Sequence, residues 1–139
     1  MMNKDCIFCL IANGEIPSNT VYEDEDFRAI LDLSPAQKGH TLLLPKEHYA
    51  DLFEMPAELA AKVLPVAKKI AAAVKEATGA DGVNLVQNNG EAAGQTVRHF
   101  HLHIIPRLAG DNALPLWTPG KSDPEEQQKI AAAISEKIR

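Results

Sequence analysis

Long apolar runs are missing from this sequence, and none approaches the roughly 20 residues that a membrane-spanning helix needs. Runs of basic residues are missing too: 14 lysines and arginines stand against 19 aspartates and glutamates, a net charge of −5. That balance disfavours a duplex nucleic-acid partner, which is held by clustered cations. A small phosphate ligand stays open, because a few local donors can bind one inside an acidic protein. The N-terminus, Met1-Met2-Asn3-Lys4-Asp5-Cys6, lacks the basic and then apolar layout of a secretory signal, so a cytoplasmic, reducing setting is expected. Neither an internal repeat nor a linker is visible, and the 139 residues are expected to form a single domain, 1–139, around one core.

Cysteine is nearly absent as well, with Cys6 and Cys9 the only two, in a C-x-x-C. In a reducing compartment that spacing suggests either a redox pair or half of a metal site. A redox pair of the thioredoxin kind normally opens a helix after a buried strand, and nothing before Cys6 can form that strand. Half a zinc site is favoured, with two reduced thiols packed as small hydrophobes as the alternative.

Histidine is scarce too, yet three of five fall at alternate positions in Arg98-His99-Phe100-His101-Leu102-His103-Ile104-Ile105-Pro106. A strand points successive side chains to opposite faces, so His99, His101 and His103 are expected on one face and Phe100, Leu102 and Ile104 in a core. A helix would scatter the imidazoles round its circumference.

Elsewhere the chain reads as α+β. Ile7 to Gly14 suits one or two helical turns. Thr20–Glu23 and Phe27–Leu31 read as a hairpin, and His40–Leu44 as a strand stopped by Pro45. Between Pro56 and Gly79, Leu59, Val63, Val66, Ile70 and Val74 recur at three- and four-residue steps, the stripe of a helix covering a sheet. Pro65 is expected to kink or divide that helix. Val83–Gln87 reads as a strand, and a final helix is expected after Pro124 with Ile130, Ile134 and Ile138 along one edge. The expected whole is an antiparallel sheet of about five strands with one long covering helix and a C-terminal helix.

Three features converge on the histidines. The loop before them offers the amides of Asn88 and Gln95, the Thr96 hydroxyl and backbone N–H groups bared near Gly94, which can wrap an anionic oxygen cluster. A neutral imidazole can attack phosphorus to give a phosphoramidate that water then cleaves, with His101 the natural nucleophile and His103 placed to protonate the leaving group. Cys6 and Cys9 need two more ligands from His40, His48, His99, His101 and His103. If His101 and His103 do chemistry, His48 and His99 complete a closed Cys2His2 zinc site. His40 is either a hydrogen-bonding support for a catalytic imidazole or an ordinary strand-end histidine.

His99-Phe100-His101-Leu102-His103-Ile104-Ile105 resembles the signature of the histidine triad (HIT) superfamily. Cys6-Ile7-Phe8-Cys9, Ile16-Pro17, Asp32-Leu33-Ser34-Pro35, Gly39-His40, Pro45-Lys46-Glu47-His48 and Gly94-Gln95-Thr96 follow in the order of its Hint-like, purine nucleotide-binding branch. The resemblance covers Cys6 to about Arg107 and implies a homodimer whose two sheets join into one. It implies binding of a purine nucleoside monophosphate and hydrolysis of its phosphoramidate through a nucleotidyl-histidine. On this resemblance the catalytic set is His101, His103, His99 and His40, with His101 the nucleophile and His40 supporting the triad. Asn88, Gly94, Gln95 and Thr96 would hold the phosphate, Asp32 the ribose, and Ile7, Phe8, Ile11 and Leu31 the base. Members with the N-terminal Cys-x-x-Cys bind zinc, here on Cys6, Cys9, His48 and His99 in a structural role. Dinucleoside polyphosphate hydrolysis, or a regulatory nucleotide-binding role with incidental turnover, are the alternatives it leaves.

Overall fold

The structure, a computed structural model, describes residues 2–139. At its centre is one antiparallel sheet of five strands in the order β1-β2-β3-β5-β4. The strands are β1 (Thr20–Glu23), β2 (Phe27–Leu31), β3 (Thr41–Pro45), β4 (Gly82–Gln87) and β5 (Leu102–Arg107). β1 and β2 form the expected hairpin, and the Asp24 carboxylate shapes its turn by accepting from the backbone N–H groups of Asp26 and Phe27 at 2.8 and 2.7 Å. Helices α1 (Ile7–Ala12), α2 (Ala57–Thr78) and α3 (Pro124–Lys137) complete the α+β architecture. Among the described residues no helix is long and apolar enough to cross a membrane.

The two faces of the sheet are covered unequally. On one face α2 packs Val63, Val66, Ala67, Ile70 and Val74 against Phe27, Ala29, Leu43, Phe100, Leu102 and Ile104. On the other, Phe8 and Ile11 of α1 lie against Ile30, Leu42 and Leu44. β3 is buried along its whole length because its alternating side chains meet a helix on either side. A six-residue helix is only about 9 Å long, so the second face stays partly open. His101 and His103 stand in that opening.

Three expectations need correction. β5 begins at Leu102, not at His99. The backbone before it is drawn away from the sheet: the Phe100 N–H donates to the Tyr49 carbonyl at 2.7 Å. The alternation still puts Phe100, Leu102 and Ile104 into the core. Pro65 does not divide α2, which runs unbroken for 22 residues. The proline lies on the exposed side, where water can satisfy the carbonyl one turn back that it leaves without a partner. Pro45 closes β3 as its last paired residue, opposite Phe27, instead of lying beyond it.

The C-terminal helix forms as expected, with Pro124 in its first turn, but every residue of it is exposed, the Ile130 and Ile134 edge included. Ile104→Ala should therefore lower unfolding stability by about 2–5 kcal/mol, since it opens a cavity in a site with no exposure. Ile134→Ala should change it by less than about 0.5 kcal/mol. Guanidinium titrations of both variants check the contrast, and equal losses would place α3 in the core after all.

Candidate active site and metal centre

Cys6 caps the N-terminus of α1, and its sulfur accepts from the Cys9 N–H at 3.4 Å. The three-residue spacing thus brings both thiols onto the first turn. His48, just after β3, and His99, just before β5, meet them there, and the four donor atoms all lie within 4.8 Å of one another. Cys6 Sγ and Cys9 Sγ are each 3.4 Å from His99 Nδ1, and Cys9 Sγ is 3.3 Å from His48 Nδ1. A tetrahedral zinc with bonds of about 2.3 Å to sulfur and about 2.05 Å to nitrogen has S–N edges of about 3.5 Å, so the cluster fits that ion. His99 donates its Nε2–H to the Pro45 carbonyl at 2.9 Å, which leaves the Nδ1 lone pair free for a metal. Burial, chiefly, holds the His99 pKa down to about 4, keeping the ring in its neutral, ligating form. Burial pushes the Cys9 thiol up, so a bound cation is what would hold it as thiolate.

The neighbouring imidazoles have their protons assigned by backbone partners. His101 donates Nδ1–H to the His99 carbonyl at 2.7 Å, so its Nε2 carries a lone pair. His40 Nδ1 accepts the Ala36 N–H at 3.0 Å, which puts the His40 proton on Nε2. That proton points at His103 Nδ1, 2.9 Å away, and leaves the His103 proton on Nε2. Asp32 Oδ2 lies 3.6 Å from His40 Nε2. Asp32, His40 and His103 are close enough together to form a cation site. The Ala36 N–H instead makes His40 and His103 a hydrogen-bonded pair with the Asp32 carboxylate beside it, because His40 has no lone pair to offer on Nε2. Burial lowers the pKa values of His40 and His101, and that of His103 to about 4, against the smaller opposing pull of Asp32. His40 owes its place to Gly39, whose φ is +97° and whose added Cβ would meet Thr78 Cγ2 at 2.6 Å.

A cavity of about 660 Å³ opens beside these rings. Ile7, Phe8, Ile11 and Leu31 give it an apolar side, and Asp32, Thr96, His101 and His103 a polar one. Phe8 meets His101 edge to face, with centroids 5.0 Å apart. Asn88 and Gly94 lie outside the cavity wall but together, with Asn88 Nδ2 3.6 Å from where a Gly94 Cβ would sit. His40 stands behind His103, and His99 turns away to the cysteines. Gln95 departs from expectation: it is buried, both its amide protons go to the Ala50 and Val97 carbonyls, and none is left for a ligand. Ser18, Asn19 and Val97 also line the cavity. Sequence reasoning missed them; Ser18 and Asn19 follow Pro17 in a turn-prone stretch, and Val97 gave no signal of its own.

A five-stranded α+β sheet that carries a row of histidines into a pocket defines a class, and its family follows. This chain belongs to the HIT family, whose domain model (HIT domain) matches residues 13–110. It is 40% identical over 135 residues to adenosine 5'-monophosphoramidase hnt1 of Schizosaccharomyces pombe, covering 96% of this chain and 98% of that one. The solved structure of SMU.412c from Streptococcus mutans superposes with a TM-score of 0.94 at 45% identity, covering 99% of this chain and 87% of that one. A zinc-bound histidine triad family protein from Mycobacterium smegmatis is 43% identical with a TM-score of 0.75, covering 94% of each chain.

The buried rings give a direct test. In a histidine NMR titration His103 should stay neutral until about pH 4, and His40 should titrate below its ordinary 6.5. Folding disfavours the charged forms, so the unfolded chain takes up these protons first. Stability should accordingly fall as pH drops from about 6.5 toward 4. A His103 midpoint at or above 6.5 would contradict the proton assignments.

Proposed function

We propose that this protein is a nucleotide-binding hydrolase that cleaves purine nucleoside phosphoramidates through a nucleotidyl-histidine on His101. The reading is carried by the hydrogen bond from His101 Nδ1–H to the His99 carbonyl, which leaves a neutral Nε2 as nucleophile beside the cavity. In the first half-reaction Nε2 forms a bond to phosphorus as the P–N bond to the leaving amine breaks. The hydrogen-bonded pair His40–His103 keeps the His103 proton on Nε2, so that this ring donates a hydrogen bond to the departing nitrogen, which leaves as the amine with a proton taken from solvent. In the second half-reaction a water oxygen bonds to phosphorus, the Nε2–P bond breaks, and one proton of the water goes to solvent. The products are the amine and the nucleoside monophosphate.

The chain's other groups bind and orient. The apolar side of the cavity, with Ile7, Phe8, Ile11 and Leu31, takes the purine, and Asp32 accepts from the ribose hydroxyls. The Thr96 hydroxyl, the Asn88 amide and the N–H groups near Gly94 hold the phosphoryl oxygens with neutral donors. Cys6, Cys9, His48 and His99 hold a structural zinc that ties α1, and with it Phe8, to the chain entering β5. Such an ion supplies cross-linking only, since protein fills all four positions. A second copy continues the sheet at β4, the longer and more regular of its two edges; the other, β1, is four residues long and bulged.

Two measurements test this. Wild type should cleave adenosine phosphoramidate faster than diadenosine polyphosphates, and His101→Ala should lose about a thousandfold or more. Full activity in His101→Ala would end the covalent mechanism. Elemental analysis should find close to one zinc per chain, and Cys9→Ser should lose it. A purified protein without zinc would remove the metal assignment and leave the catalytic one standing.

A further inference from the structure

The loop between β4 and the histidines has an improbable shape and one buried residue to hold it. Gly90 and Gly94 both take left-handed φ values, +94° and +95°. Between them and the histidines sits Gln95, 4% exposed, its side-chain amide wholly consumed within the protein. Its Oε1 accepts the Gly90 N–H at 2.8 Å, and its Nε2 donates to the Val97 carbonyl at 3.0 Å and the Ala50 carbonyl at 2.6 Å. The first two bonds close the loop on itself. The third fastens it to the segment just after His48. That segment makes two further ties: Tyr49 accepts the Phe100 N–H at 2.7 Å, and the Leu52 N–H donates to Asn89 Oδ1 at 2.8 Å.

We infer that Gln95 is a positioning residue. By clamping residues 90–97 to the strap at 49–52 it fixes where Gly94 and Thr96 present their donors to a phosphate. It touches no ligand itself. The assignment rests on the proposed phosphate-binding role of this loop and replaces direct contact by Gln95 with control of its neighbours. Neutral donors need this more than a lysine would, because their attraction to an anion depends on direction and vanishes when they swing away.

The test uses full-length Gln95→Leu, close in size but unable to make any of the three bonds. Amide hydrogen exchange is compared with wild type in ligand-free protein. AMP affinity is measured by calorimetry, and kcat and KM with adenosine phosphoramidate. The expected result is faster exchange across 90–97 with β4 and β5 unchanged. AMP binding should weaken, and KM rise, about tenfold or more while kcat falls less. If Gln95→Leu does not fold, Asn89→Ala, which cuts the tie to Leu52, should give the same pattern at about threefold. AMP affinity within about twofold of wild type would overturn the inference, as would exchange that quickens equally throughout the sheet. Wild type that binds no AMP would defeat the nucleotide reading instead, and the exchange comparison would still decide whether Gln95 clamps the loop.

Discussion

The His99 backbone carbonyl is the point at which the two halves of the site meet. It accepts the His101 proton, while the ring of the same residue reaches the cysteines through Nδ1 and the Pro45 carbonyl through Nε2. One buried residue therefore fixes the tautomer of its neighbour and anchors the N-terminal segment. Moving the His99 backbone would free the His101 ring to turn its lone pair away from the cavity. The departure of residues 99–101 from the sheet follows from this. A regular strand there would send the His99 carbonyl to a neighbouring strand, leaving the imidazole without its acceptor.

Unequal covering of the sheet supplies the rest. The long α2 stripe closes one face, and the six-residue α1 closes only part of the other. The gap is wide enough for a ligand, and the rings at its edge are dry enough to stay neutral. Burial does this against the pull of Asp32, so the chain keeps the imidazoles beside a carboxylate neutral. A cavity lined by no lysine or arginine would, on the proposed reading, meet a phosphate through directed neutral donors. On that reading the order of the 90–97 loop, and the hydrogen bonds of Gln95 within it, matter for that reason.

By itself the sequence determined the elements and the chemistry of the parts. Period-two and helical spacing located the five strands, α1 and α2 to within a few residues, because burial on one face leaves a local record in the residue pattern. The exposed α3 was marked instead by Pro124 and the acidic residues of its first turn. The C-x-x-C and the alternating histidines marked the Cys–His cluster and the histidine-lined cavity, because sulfur and imidazole are too scarce here to be incidental. Tertiary structure alone decided how equivalent-looking groups divide. His99 gives its ring to Pro45 and the cysteines while Phe100 beside it pairs with Tyr49, Gln95 spends its amide on Ala50, and Pro65 survives on the outer side of α2. Each depends on a partner far along the chain or on which side faces water, and no local pattern carries that. The proton on each ring was the last thing settled, since a single N–H or carbonyl brought up by the fold chooses between two nitrogens that the sequence cannot tell apart.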